Sequence, residues 1–136
     1  MKIVIPAETR AGEKRVAMMP SVVRKFTQLG FDVAVQSGAG ADAFADDAAF
    51  TEAGAQVFDE ASLTEQIAGA DVVASVRPLD YGRASRLRRG AVSISFLSPA
   101  QDTETIKALR GAGATGLSFD LLPRISRAQS MDALTS

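Results

Sequence analysis

GADVVASVRPLDYGRASRLRRGAVSISFL (69–97) is the stretch that decides the fold. ADVVASV (70–76) is an almost unbroken apolar run closed by Pro78. A strand that alternated apolar with polar would have one wet face; a continuous run is buried on both. Tyr81 to Arg89 read as helix, and AVSISFL (91–97) is a second apolar strand. Buried strand, helix, buried strand is the unit of a parallel sheet with helices laid over it.

Outward from there the alternation continues in both directions. KIVI (2–5) is a short strand stopped by Pro6, and the polar loop PAETRAGEKR follows it. PSVVRKFTQLG (20–30) is a helix with Pro20 in its first turn and Gly30 at its stop, and Val22, Val23, Phe26 and Leu29 share one face. DVAVQ (32–36) and AQVF (55–58) are strands, separated by a glycine loop and a helix ending near Gly54. SLTEQIAGA (62–70) is a short helix with Ser62 as expected N-cap and Glu65 placed for a capping box. DTETIKALRGAG (102–113) is a helix and ATGLSFDLL (114–122) a last strand. The expectation is an α/β fold: a doubly wound, mostly parallel sheet with helices on both faces.

Composition narrows the chemistry. The chain has 136 residues, one domain's worth, with 46% hydrophobic residues to build a core. A net charge of −1 argues against nucleic acid as a partner. Arg83, Arg86, Arg88 and Arg89 cluster, and are expected on a solvated loop and helix face. There is no cysteine and no histidine, which removes disulfides, thiolate nucleophiles and the commonest general base and metal ligand; no metal site is expected. No apolar run approaches the roughly 20 residues of a membrane helix.

VAVQSGAGADAF (33–44) carries Gly38, Gly40 and Ala43 in the G-x-G-x-x-G/A pattern of dinucleotide sites, after a strand and before a helix. Asp59 ends the next strand, where a ribose-binding acid belongs. Asp42, Asp46 and Asp47 argue the other way. They occupy the favourable field of the helix start and would repel a phosphate. The expected reading is a tight turn with acids steadying the helix.

PRISRAQSMDALTS (123–136) is the most chemically loaded segment. From the residues alone it is open to two readings. It is either a polar helix start in which Ser126 or Asp132 caps, or a hydrogen-bonding row, with Gln129, Asp132 and Thr135 three apart along one helix side. The segment closely resembles the signature of the NAD-binding alpha subunit of proton-translocating NAD(P) transhydrogenases, whose relatives the alanine dehydrogenases share the same N-terminal domain. IPAETRAGEKRVAMMP, GFDVAVQSGAGADAFADDAAFTEAGA and SFLSPAQ resemble that family's earlier stretches.

The resemblance implies a flavodoxin-like domain over 1–122. Residues 123–136 would then begin the helix that leads to a separate Rossmann domain, so the chain is expected to be truncated or part of a longer subunit and inactive alone. It implies NAD(H) as cofactor in the complete subunit and NADP(H) on a partner domain. It also implies a membrane proton-channel domain as partner, a homodimer, and a cytoplasmic position at the inner membrane held through those partners. The implied residue roles are Arg124 on the nicotinamide carboxamide, Gln129 near the nicotinamide ribose facing NADP(H), and Asp132 holding the nicotinamide end. Thr135 stands where the family usually has serine, and Arg127 has a less definite role. Gln129 and Asp132 are the residues expected to serve the hydride transfer.

The rival enzyme is alanine dehydrogenase, in which the residue matching Arg15 binds the substrate carboxylate. Reduction of a keto acid needs a proton donor beside the carbonyl. Where those enzymes place a lysine after the VV strand and a histidine at a later strand end, this chain has Ser75 or Arg77, and Leu97 and Ser98. Arginine stays charged and is a poor acid, so transhydrogenase is the favoured reading, with a stand-alone, non-catalytic α/β module as the alternative of another class.

Overall fold

A computed structural model describes residues 1–96 and 103–118. Six strands form one sheet: β1 Lys2–Ile5, β2 Asp32–Gln36, β3 Gln56–Phe58, β4 Val72–Ser75, β5 Val92–Ser95 and β6 Thr115–Ser118. Their order is β3-β2-β1-β4-β5-β6, and each pairing is parallel. The chain steps outward from β1 to β3, returns to place β4 on the other side of β1, and steps outward again. Without the short edge strand β3, the other five follow the flavodoxin-type order. The reversal between β1 and β4 is the topological switch point, where open α/β sheets bind their ligands beyond the strand carboxyl ends.

The period of two along each strand divides the core. Ile3, Ile5, Val33, Val35 and Ala74 face one side, where they meet Val23 of α1 (Pro20–Gln28) and Phe50 and Ala53 of α2 (Asp47–Glu52). Val4, Ala34 and Val73 face the other. There they meet Ile67 of α3 (Leu63–Ala68), Ala84 of α4 (Tyr81–Ala84) and Ala108 of α5 (Thr103–Ala112). Helices thus cover both faces, as the apolar runs required.

Several local expectations need correction. Ser62 does not cap α3: it ends a 3-10 turn, Glu60–Ser62, and its backbone N–H donates to the Asp59 carboxylate at 3.2 Å. Asp59 is the cap of that turn, which runs directly into α3. On α1 only Val23 is fully buried, and Phe26 is partly so, its ring edge-on to Phe31 at 5.5 Å. Val22 and Leu29 are exposed, because nine residues bury a narrow stripe and Leu29 lies past the last turn. The helix expected over 81–89 ends at Ala84. Beyond it the chain tightens into turns that carry Leu87 into the core and bring Gly90 round at φ +87°.

The arginine cluster is not one solvated face either. Arg83 donates to Ala7 O at the carboxyl end of β1, while Arg88 donates to Ala70 O and pairs with Asp71 at the opposite end of the sheet. Arg86, Arg88 and Arg89 are exposed, Arg88 despite its pairing, and Arg83 is the half-buried member.

Two phenylalanines six positions apart test this account. Phe50 is fully buried, and Phe44 is 99% exposed with a left-handed φ of 64°. Phe50→Ala is expected to lower unfolding free energy by about 3–5 kcal/mol. Phe44→Gly is expected to leave it unchanged or raise it by up to about 1 kcal/mol, since glycine adopts that φ without steric penalty. Urea unfolding of both variants checks the contrast.

Candidate functional site

The glycine loop beyond β2 is filled by the chain itself. Gly38 has φ +85° and its amide donates to Asp47 Oδ1 at 2.9 Å, while the Ser37 hydroxyl donates to Oδ2 of the same carboxylate at 2.5 Å. Those two bonds, the amide first, hold the Asp47 carboxyl below the usual carboxylate range. Asp46 caps α2, accepting from the Ala49 amide at 2.9 Å, and Asp42 lies exposed in the preceding 3-10 turn. Gly40 has a packing reason: a Cβ there would stand 2.6 Å from Ala45 O and 2.7 Å from the Phe50 ring. Asp59 is committed to its turn. Each member of the apparent dinucleotide fingerprint that matters to the loop therefore has a structural task, and a carboxylate already occupies the amide a phosphate would need. The open depression of about 640 Å³ beside the loop is walled in part by Asp46 and Asp47.

The switch point is built differently. The loop after β1 and the loop after β4 are cross-tied by polar side chains. Glu8 accepts from the backbone amides of Val76 at 2.8 Å and Arg77 at 3.1 Å. Burial pushes the Glu8 carboxyl up from its ordinary value, outweighing those two bonds. Ala7 is held through both backbone groups: its N–H donates to the buried Gln36 Oε1 at 2.9 Å, and its oxygen accepts from Arg83 at 2.6 Å.

Beside this tie, Glu13 takes two arginines. Arg15 donates to it through Nε at 2.7 Å and Nη2 at 2.8 Å, and Arg77 through Nε at 2.8 Å. The Glu13 side chain is only 1% exposed, covered by its partners rather than sunk in the core, and Arg15 first and Arg77 next hold it down to about 2. The structure thus brings Arg15 and Arg77, singled out in the sequence for a carboxylate, onto one internal carboxylate. Glu8, Glu13 and Arg83 were missed. The signal was present: acids alternating with bases in the loop beyond a strand's carboxyl end.

Above the crevice lies an open groove of about 360 Å³. Val16, Ala17, Met19, Ala43, Val76 and Phe96 form its apolar wall, and Arg15 is its charged one. Ser75, one of the two positions where a lysine was considered, is buried at the end of β4, and its hydroxyl has no hydrogen-bond partner among the described residues. Arg124, Gln129, Asp132 and Thr135 lie outside the described residues, as do Ser126, Arg127, Leu97 and Ser98.

Comparison with known proteins follows from this geometry. The sequence pattern of the family described as "Alanine dehydrogenase/PNT, N-terminal domain" matches residues 4–136. The chain is 43% identical, over its whole length, to an NAD(P) transhydrogenase subunit alpha of Cereibacter sphaeroides, of which it covers 26%. It is 35% identical over 88% of its length to an alanine dehydrogenase of Mycobacterium tuberculosis, covering 32% of that chain. The crystal structure of a transhydrogenase from Sinorhizobium meliloti superposes with a TM-score of 0.83 at 38% identity, over 99% of this chain and 40% of that one. The chain therefore spans between about a quarter and two-fifths of the length of these proteins.

Two outcomes are expected. Gly40→Ala lowers stability by about 1–3 kcal/mol through overpacking, and titration of NAD into the 136-residue chain shows no micromolar binding for that substitution to remove. Glu13→Gln destabilises near neutral pH by about 1 kcal/mol, allowing for solvent screening of the half-exposed arginines. Because the folded carboxyl is depressed, its contribution is present above about 4.5 and is lost as pH falls towards about 2. Parallel denaturation curves of wild type and variant should therefore converge at the acid end.

Proposed function

The chain belongs to the alanine dehydrogenase/PNT N-terminal domain family, and from that membership we propose that it is the N-terminal domain of a transhydrogenase alpha subunit, serving hydride transfer between NAD(H) and NADP(H). The observation that carries this is similarity to transhydrogenase alpha subunits along the entire chain, tail included. The form of the groove supports it: one apolar wall and one arginine beside the switch point.

Transfer between two nicotinamides needs no proton donor. It needs two rings held in near-attack geometry with water kept out. An apolar groove serves the exclusion of water, and hydrogen-bonding groups serve the geometry. NAD(H), when bound, supplies or takes the hydride; its adenine and phosphates belong, in this proposal, to a Rossmann domain beyond residue 136. Arg124 would hold the carboxamide, Asp132 the nicotinamide end and Gln129 the ribose side facing NADP(H), with Thr135 contributing a hydroxyl. A side chain that hydrogen-bonds the carboxamide fixes ring rotation, and rotation decides which carbon is presented.

Keto-acid reduction is the less favoured reading. The groove's one charged lining group among the described residues is Arg15, and arginine does not give up its proton at working pH. Arg77, the other position considered for the missing lysine, is engaged by Glu13.

Among the described residues no helix is long and apolar enough to cross a membrane. We place proton passage in a partner membrane domain, NADP(H) on a further partner domain, and the subunit as a homodimer on the cytoplasmic side.

In the complete enzyme, Arg124→Ala, Gln129→Ala and Asp132→Ala are each expected to lower hydride transfer by about 10- to 100-fold. Thr135→Ser should lie within about twofold of wild type. Stopped-flow transfer between NADH and an NADP analogue is the measurement. Undiminished transfer in all three alanine variants would remove the assignment.

A further inference from the structure

The tie across the switch point uses a carboxylate to hold two backbone amides, where a neutral amide side chain holds one. Gln36 shows this one residue away: its neutral amide oxygen, buried, fixes the Ala7 amide at 2.9 Å. Glu8 fixes two amides, Val76 and Arg77, from a half-buried position that disfavours its charge.

By linkage, a carboxyl whose pKa is raised by folding contributes stability in its protonated form, and that contribution is lost as pH rises through the folded value. The charge on Glu8 is therefore carried against stability. Charged groups facing it are Glu13 and Arg15 from its own loop, Arg77 beyond β4 and Arg83 of α4. The Arg77 amide bonds to Glu8, and the Arg77 guanidinium bonds to Glu13, which in turn grips Arg15 in the groove wall. From the Glu8 carboxylate the path thus runs through Arg77 and then Glu13 to Arg15, the one charged group lining the groove among the described residues. Val76, the other amide, is itself part of the apolar wall.

We propose that Glu8 is a positioning residue for the groove: its carboxylate bolts the β4 loop to the β1 loop, sets Val76, Arg77 and through them Arg15, and is withdrawn by protonation. The bolt's geometry stands on the structure; its use in hydride transfer rests on the proposed function above. When the carboxylate takes up a proton, one oxygen becomes a donor. That oxygen is then the weaker acceptor for its amide, and among the described residues Glu13 is left as the anion facing the cations around it.

The test has two arms. In the 136-residue chain, NMR follows the Glu8 side-chain carboxyl carbon and the Val76 and Arg77 backbone amides across acidic to neutral pH. The expected result is a shared midpoint above the ordinary glutamate range, with the Arg15 and Arg77 guanidinium signals moving at the same pH. In Glu8→Gln the two amides stop titrating at that midpoint, and stability at neutral pH is equal to or greater than wild type. Amides that ignore the Glu8 titration would overturn the bolt.

In the complete enzyme, Glu8→Gln should lower kcat about tenfold with KM for both nucleotides within about twofold, and Glu8→Asp should recover part of the loss. Wild-type kcat should fall on acidification with the NMR midpoint, and that limb should be absent in Glu8→Gln. Normal turnover and an unchanged acid limb in Glu8→Gln would overturn the positioning role. A wild-type enzyme with no transhydrogenation at all would instead strike the proposed function, leaving the NMR arm to decide the bolt.

Discussion

β1 has β2 on one side, β4 on the other, and apolar helical layers above and below, so its three apolar residues are enclosed. Val4 and Ile5 are wholly buried, and Ile3 nearly so. Being central, β1 cannot be joined to both neighbours by moves in one direction. The chain must reverse after β3 and re-enter at β4. That reversal forces the loops after β1 and β4 to part towards opposite faces, and the gap between them is the crevice bridged by Glu8. The position of the site follows from the burial of one four-residue strand.

How that gap is managed tells much about the domain. Backbone amides at a strand's carboxyl edge have no ladder partner, and in nucleotide-binding sheets a phosphate often satisfies them. Here the chain's own carboxylates do: Asp47 takes the Gly38 amide, Asp59 the Ser62 amide, and Glu8 those of Val76 and Arg77. Each is an internal ligand whose effective concentration no dissolved anion matches. A sheet edge closed in this way offers shape and apolar surface rather than anion recognition, which suits a wall better than a nucleotide cradle.

The six alternating elements were legible because a doubly buried strand cannot disguise itself; VVAS and VAV have no polar face to confuse with a helix. Finer features failed where two residues compete for one task. Ser62 was expected to cap α3; the structure instead has Asp59 capping a 3-10 turn that precedes the helix. The GAGADA loop shows the same limit in reverse. Glycine serves a close approach equally whether a pyrophosphate or the ring of Phe50 arrives, and only coordinates distinguish them. The acids of that loop were expected to steady the helix start, and Asp46 does so by capping α2. Asp47 does stand in the first turn of α2, and its carboxylate turns back to Ser37 and Gly38.

Glu8 was invisible to pattern reading for a physical reason. A glutamate in a polar loop is ordinarily solvated, and its importance here comes from contacts 68 and 69 positions along the chain. The same holds for Arg77, whose meaning changes with its partner: next to an empty crevice it would bind a substrate carboxylate, while against Glu13 it is part of the frame. Sequence supplies the charges, but topology decides which are spent on one another. Among the described residues the switch-point charges are largely paired internally, and Arg15, more than half exposed, is the one that also lines the groove. A site with its ionic groups so committed is suited to orienting a ring against an apolar wall, and poorly suited to moving a proton.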